Sequence, residues 1–135
     1  MEPGRLFFGL RHAYDLLRRD AETVAPEGMI FIEQLVLVTV GENPGIRTHG
    51  LARKIHSSLS NTKRALGRHY KAGLVKRKQV SFKETRLSLT PKGISTLASM
   101  RGKWNALADL YWGDLPESDL IGMENCLRKL QERSQ

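Results

Sequence analysis

The chain has 135 residues, 40% of them apolar, a net charge of +8 and one cysteine. That length suits one compact domain, and a lone Cys126 excludes an internal disulfide, so the cytosol is the expected location. The charge is concentrated: Ile46 to Thr90 carry twelve Lys or Arg against the single acid Glu84, a net +11, which leaves −3 for the remainder and makes a polyanion the expected partner.

In chain order, Leu6, Leu10, Ala13, Tyr14 and Leu17 recur at helical spacing and predict a helix over roughly residues 5 to 20. The acidic start and the break of the apolar run at Arg11 do not match a signal peptide. Ala21 to Gly28, punctuated by Pro26 and Gly28, reads as a polar linker. Ile30 to Glu42 is β-branched enough for a strand, but its length favours a buried helix, stopped at Asn43-Pro44-Gly45. With Glu33 and Gln34 inside it, this stretch falls short of the ~20 apolar residues a membrane span needs.

From Ile46 the elements shorten. Leu51, Ala52 and Ile55 mark one short helix, and a break at Ser57 and Ser58 separates it from a second that carries Leu59, Thr62, Ala65, Leu66 and Tyr70. Ser58 is placed to cap the second helix and Gly73 to end it, which makes a helix-turn-helix. Leu74 to Val80 and Thr85 to Leu89 predict two strands around a basic tip, a wing. Thr90 and Pro91 then open a helix to about Tyr111, with Ile94, Leu97, Trp104 and Tyr111 on a seam. A last helix spans roughly Pro116 to Glu132, with Leu120, Met123, Leu127 and Leu130 along it.

The central stretch resembles the multiple-antibiotic-resistance regulator (MarR) family of winged-helix transcription factors. The resemblance is carried by Glu42-Asn43-Pro44-Gly45-Ile46, Leu51-Ala52 with Ile55, the helix of Ser58, Ser60, Asn61 and Arg64, Gly73-Leu74-Val75, and Leu89-Thr90-Pro91-Lys92-Gly93. It covers about 65 residues without a gap, and the joint order of these strings is what makes it specific. It implies a mainly α fold with a small β-hairpin wing: one domain over residues 1–135, with a DNA-binding core over 29–90 and dimerisation helices over 1–28 and 91–135. It also implies a dimeric repressor of transcription on a pseudo-palindromic operator, open to control by an effector. Two positions depart from the family pattern. The wing lacks the usual Asp-Arg-Arg signature, leaving Lys83 where a wing arginine belongs, and His69 stands where a core leucine is usual.

A recognition helix places short polar side chains at base edges near its N-terminus and cations farther along for phosphates. Ser60, Asn61, Lys63, Arg64 and Arg68 suit that task, Asn61 matching adenine and Arg64 guanine, while Ser58 and the helix N-terminus can donate to a phosphate. Lys76, Arg77, Lys78 and Lys83 supply the wing. A merely solvated helix would intersperse acids for i,i+4 pairing, and Ser58 to Leu74 has none.

The four histidines lack ligand spacing, so no metal or other cofactor is expected. His49 and His56 are expected near the DNA and His69 at the edge of the core. Cys126 reads as a buried, inert thiol on the last helix. Trp104, Tyr111 and Trp112 suit a core or dimer interface, or a cleft for a small aromatic effector. No catalytic arrangement stands out, so an enzyme is not expected. The competing readings are a sequence-independent nucleoid or RNA-binding protein, and a winged helix used for protein contacts.

Overall fold

The computed structural model of the chain describes residues 1–133 as six α-helices, one 3-10 turn and an antiparallel hairpin. The helices are α1 (Arg5–Val24), α2 (Phe31–Glu42), α3 (Thr48–Lys54), α4 (Leu59–Ala72), α5 (Pro91–Trp112) and α6 (Glu117–Arg133). The strands are β1 (Val75–Ser81) and β2 (Glu84–Leu89), and the 3-10 turn covers Pro26–Gly28. The mainly α fold with a winged helix-turn-helix is therefore the one the sequence predicts.

Chain contacts divide the molecule within α5 into two compact units, 1–104 and 105–135. The core of the first joins Val36, Leu37 and Val40 of α2, Leu51 of α3, Ala65 and Leu66 of α4, Leu74, Val75 and Leu87 around the hairpin, and Leu97 and Met100 of α5. Helix α2 is enclosed by these elements, which explains how a β-branched sequence holds a helix: burial outweighs local preference. Each fully buried Leu or Val contributes about 1.5–3 kcal/mol. The second unit holds the last turns of α5 and α6, and none of its described residues is buried.

Two expectations at the N-terminal end need correction. Helix α1 runs on to Val24, and Ala21 is buried rather than part of a polar linker. Its carbonyl accepts from the Nε2 amide of buried Gln34, which also donates to Met29 O, while Gln34 Oε1 accepts from Trp104 Nε1 at 2.8 Å. The segment is anchored because a buried side-chain amide must satisfy its donors and acceptor, and these three groups do so. On α5, Leu97 turns inward as expected, but Ile94 is 61% exposed.

Punctuation residues set the element boundaries. Gly73 ends α4 in the left-handed conformation at φ 74°. The Thr90 hydroxyl accepts from Gly93 N at 3.0 Å and reaches the Gly73 and Leu74 carbonyls, and Lys92 Nζ donates to Ala72 O. A Cβ on Gly93 would fall 2.0 Å from Leu74 O, so only glycine allows α5 to start this close to the wing's base. Leu89-Thr90-Pro91-Lys92-Gly93 is thus a joint between α4, the wing and α5.

Candidate nucleic-acid interface

Helix α4 is positioned at both ends. Ser58 Oγ accepts from Asn61 N at 3.0 Å, so the cap expected from the sequence is formed, and the hydroxyl proton stays free to donate outward. The chain reverses before it at His56, whose φ of 53° is left-handed, so the turn pivots one residue ahead of the Ser57-Ser58 pair. Thr62, Ala65, Leu66 and His69 face the core. At 100° per residue, Ser60, Lys63, Arg64 and Lys71 then lie on the outward face, with Asn61 and Arg68 along one border.

His69 is a correction: it sits inside the core at 2% exposure, not at its edge. Its Nε2 lies 2.7 Å from the backbone oxygen of Glu33 and must carry the proton it donates. Burial lowers its pKa from the ordinary 6.5, outweighing the raising effects of the hydrogen bond to Glu33 and of the Glu33 charge.

The wing continues the cationic surface. The two strands pair from Val75↔Leu89 to Ser81↔Glu84, with a bulge between Gln79 and Ser81, and the Ile46↔Leu87 bridge adds a short third line of pairing. That bridge brings Arg47, at the mouth of α3, against β2. An open groove of about 890 Å³ results, lined by Arg47, Thr48, His49, Arg53, Lys63, Lys83, Thr85 and Arg86, with Glu84 its one acid. Cations from α3, α4 and the wing line it together, a setting that suits a phosphate backbone.

Ion pairing sorts the cations into two groups. Arg47 and Arg86 both meet Glu84, Arg68 Nη1 pairs with Glu33 at 2.9 Å, and the Arg77 guanidinium stacks 4.8 Å above the Tyr70 ring. Burial pushes the Tyr70 pKa up, and Arg77 opposes it. Lys63, Arg64, Lys76, Lys78, Lys83 and Arg53 have no ion-pair partner among the described residues, and Asn61 has no side-chain hydrogen bond there.

Of the ten positions singled out in the sequence, Ser58, Ser60, Asn61, Lys63, Arg64 and Arg68 thus share α4 and its cap, and Lys76, Lys78 and Lys83 lie free on the wing. Arg77 lies over Tyr70, drawn toward α4. Arg47, Arg53 and Arg86 were counted as charge but not as site residues. The available signal was their place at the start of α3 and on the returning strand, facing the same groove as Lys83.

Cys126 is exposed in this chain, so the expectation of a buried thiol is corrected; its stretch of α6 is solvent-facing throughout. No group of three or more potential metal ligands occurs among the described residues, and no helix there is long and apolar enough to cross a membrane.

No family model and no curated protein matches the sequence. Solved structures do match. A MarR family transcriptional regulator from Rhodococcus sp. RHA1 superposes with a TM-score of 0.87 at 17% identity, over 96% of this chain and 94% of that one. The chain has the winged-helix fold of the MarR family. FabT of Streptococcus pneumoniae, solved in complex with DNA, superposes on this chain with a TM-score of 0.75 at 14% identity, over 97% of this chain and 96% of its own. A MarR family protein of Mycobacterium tuberculosis, in complex with salicylic acid, gives 0.74 at 21% identity, over 96% of both chains.

Proposed function

We propose that this chain is a sequence-specific, double-stranded-DNA-binding transcriptional regulator that acts on the cytoplasmic nucleoid as a homodimeric repressor at a pseudo-palindromic operator. The observation that carries it is α4, where Lys63 and Arg64 on the outward face and Asn61 at its border stand free beside a groove of cations holding one acid. Free cations keep their full reward from counterion release, and an unbonded amide and guanidinium keep their donors for base edges. In this reading residues 29–90 form the DNA-binding core, and the helices over 1–28 and 91–135 the dimer. FabT, of the same fold, is solved with DNA, which supports the assignment of partner. Effector control is part of the reading because a protein of this fold holds salicylic acid. Trp104 would contribute only a ring face to such a cleft, since its N–H is bonded to Gln34 and its ring lies 6.3 Å from Phe31.

The test uses fluorescence anisotropy on a duplex selected by the protein from a random pool, against a shuffled duplex. Asn61→Ala and Arg64→Ala are each expected to lose about 1–3 kcal/mol on the selected duplex and much less on the shuffled one. Equal losses on both would remove base reading and favour a sequence-independent nucleic-acid binder. Failure of the unaltered protein to bind any duplex would favour a winged helix used for protein contacts.

A further inference from the structure

Phe82 occupies the tip of the wing and is 90% exposed, the most exposed aromatic ring among the described residues. Nothing in the fold requires it there. The pair Ser81↔Glu84 closes a two-residue loop of Phe82 and Lys83, where tight hairpins normally use Gly, Asn or Asp to reach positive φ. Neither loop residue does so: Glu27 and His56 are the non-glycine described residues with positive φ. The turn is therefore built without the favoured geometry, and a bulge at Val80 lies beside it. Gln79 Nε2 donates to Phe82 O at 3.3 Å and helps to fix the tip. The ring makes no aromatic or cation contact among the described residues.

Its surroundings identify the partner. Lys83, the next residue, lines the cationic groove, and Lys76 and Lys78 stand free along β1, which projects about 20 Å from buried Val75. A lone ring and half-exposed Val80 amid cations make no contiguous apolar patch for a protein. They match the combination by which DNA is bent: cations on the backbone and an apolar side chain between base steps.

We propose that Phe82 is a minor-groove wedge, entering the groove that flanks each half-site and partly unstacking one base step there. The step is a pyrimidine–purine one, TA or CA/TG, because those unstack most easily. This rests on the DNA-binding reading above.

The experiment places 2-aminopurine in turn at each flanking adenine of a duplex selected from a random pool, and follows its fluorescence and the binding anisotropy together. The unaltered protein should bind and raise the fluorescence at one flanking step per half-site. Phe82→Ala should abolish the rise and weaken binding on the order of tenfold. Phe82→Leu, still an apolar wedge, should keep most of the rise, and Phe82→Lys should bind through charge without it. Tight binding with every flanking position dark, or a Phe82→Ala protein equal to the unaltered one in both readouts, would overturn the wedge and leave DNA binding standing. Absence of any duplex binding by the unaltered protein would instead overturn the reading on which the wedge rests.

Discussion

A histidine in the last turn of α4 is an unexpected core residue, and its environment gives it a measurable consequence. His69 satisfies one ring nitrogen on Glu33 O but is buried, and the cost of burying its charge outweighs the pull of Glu33, so the folded protein resists its protonation. The unfolded chain takes up the proton near the ordinary pKa of 6.5, and the folded one only below it. The unfolded state thus binds more protons in that window, and stability falls as pH drops below about 6.5 while remaining whole above it. Thermal midpoints measured between about pH 7.5 and 5.5 should fall further in the unaltered protein than in His69→Gln, which keeps a donor for Glu33 O and does not titrate. Equal falls would place the acid sensitivity elsewhere. Glu33 itself ties α2 to α4, with one carboxylate oxygen on Ile30 N and the other on Arg68. Arg68 is half-exposed, so the pair is screened; loss of Arg68 would chiefly leave a buried carboxylate without its cation.

At the level of elements, local chemistry was readable in the sequence and distant pairing was not. Ser58, Gly73, Thr90 and Pro91 announce their boundaries because caps depend on the residue and its near neighbours. The end of α1 was missed because Ala21 is held by Gln34, thirteen residues on, and no periodicity within α1 signals that bond. The same holds for the candidate interface. Asn61 and Arg64 follow from helical phase, whereas the union of Arg47 with Glu84, 37 residues apart, appears only when the Ile46↔Leu87 bridge forms. That union also changes how the wing is understood. Lys83 lies in a groove with Arg47, Arg53, Lys63 and Arg86, and on that ground we propose that it meets a phosphate and not a base edge. Lys83→Ala should therefore lower the slope of log affinity against log salt by about one unit, and Lys83→Arg should change little. A large gain from Lys83→Arg confined to A-tract duplexes would show that this position reads a narrow minor groove instead.

For the whole molecule, most of the exposed apolar surface lies outside the charged segment, Val80 and Phe82 of the wing aside, and each calls for its own partner. The segment from Ile46 to Thr90 carries +11 and holds α4 and the wing. Large apolar side chains stand exposed outside it: Leu6, Phe7, Phe8 and Leu10 on α1, and Leu110, Ile121, Leu127 and Leu130 toward the C-terminal end. A second copy of the chain is the partner we propose for those helices, since a chain of this size cannot bury them by itself. Two copies related by a two-fold axis would present two α4 helices to successive major grooves about 34 Å apart. Selection of bound fragments from a random duplex pool tests sequence-specific DNA binding most directly, because it presupposes no operator. Enrichment of one pseudo-palindrome with half-sites one helical turn apart is the predicted result; a pool that stays random through repeated rounds, while still bound at low salt, would contradict it.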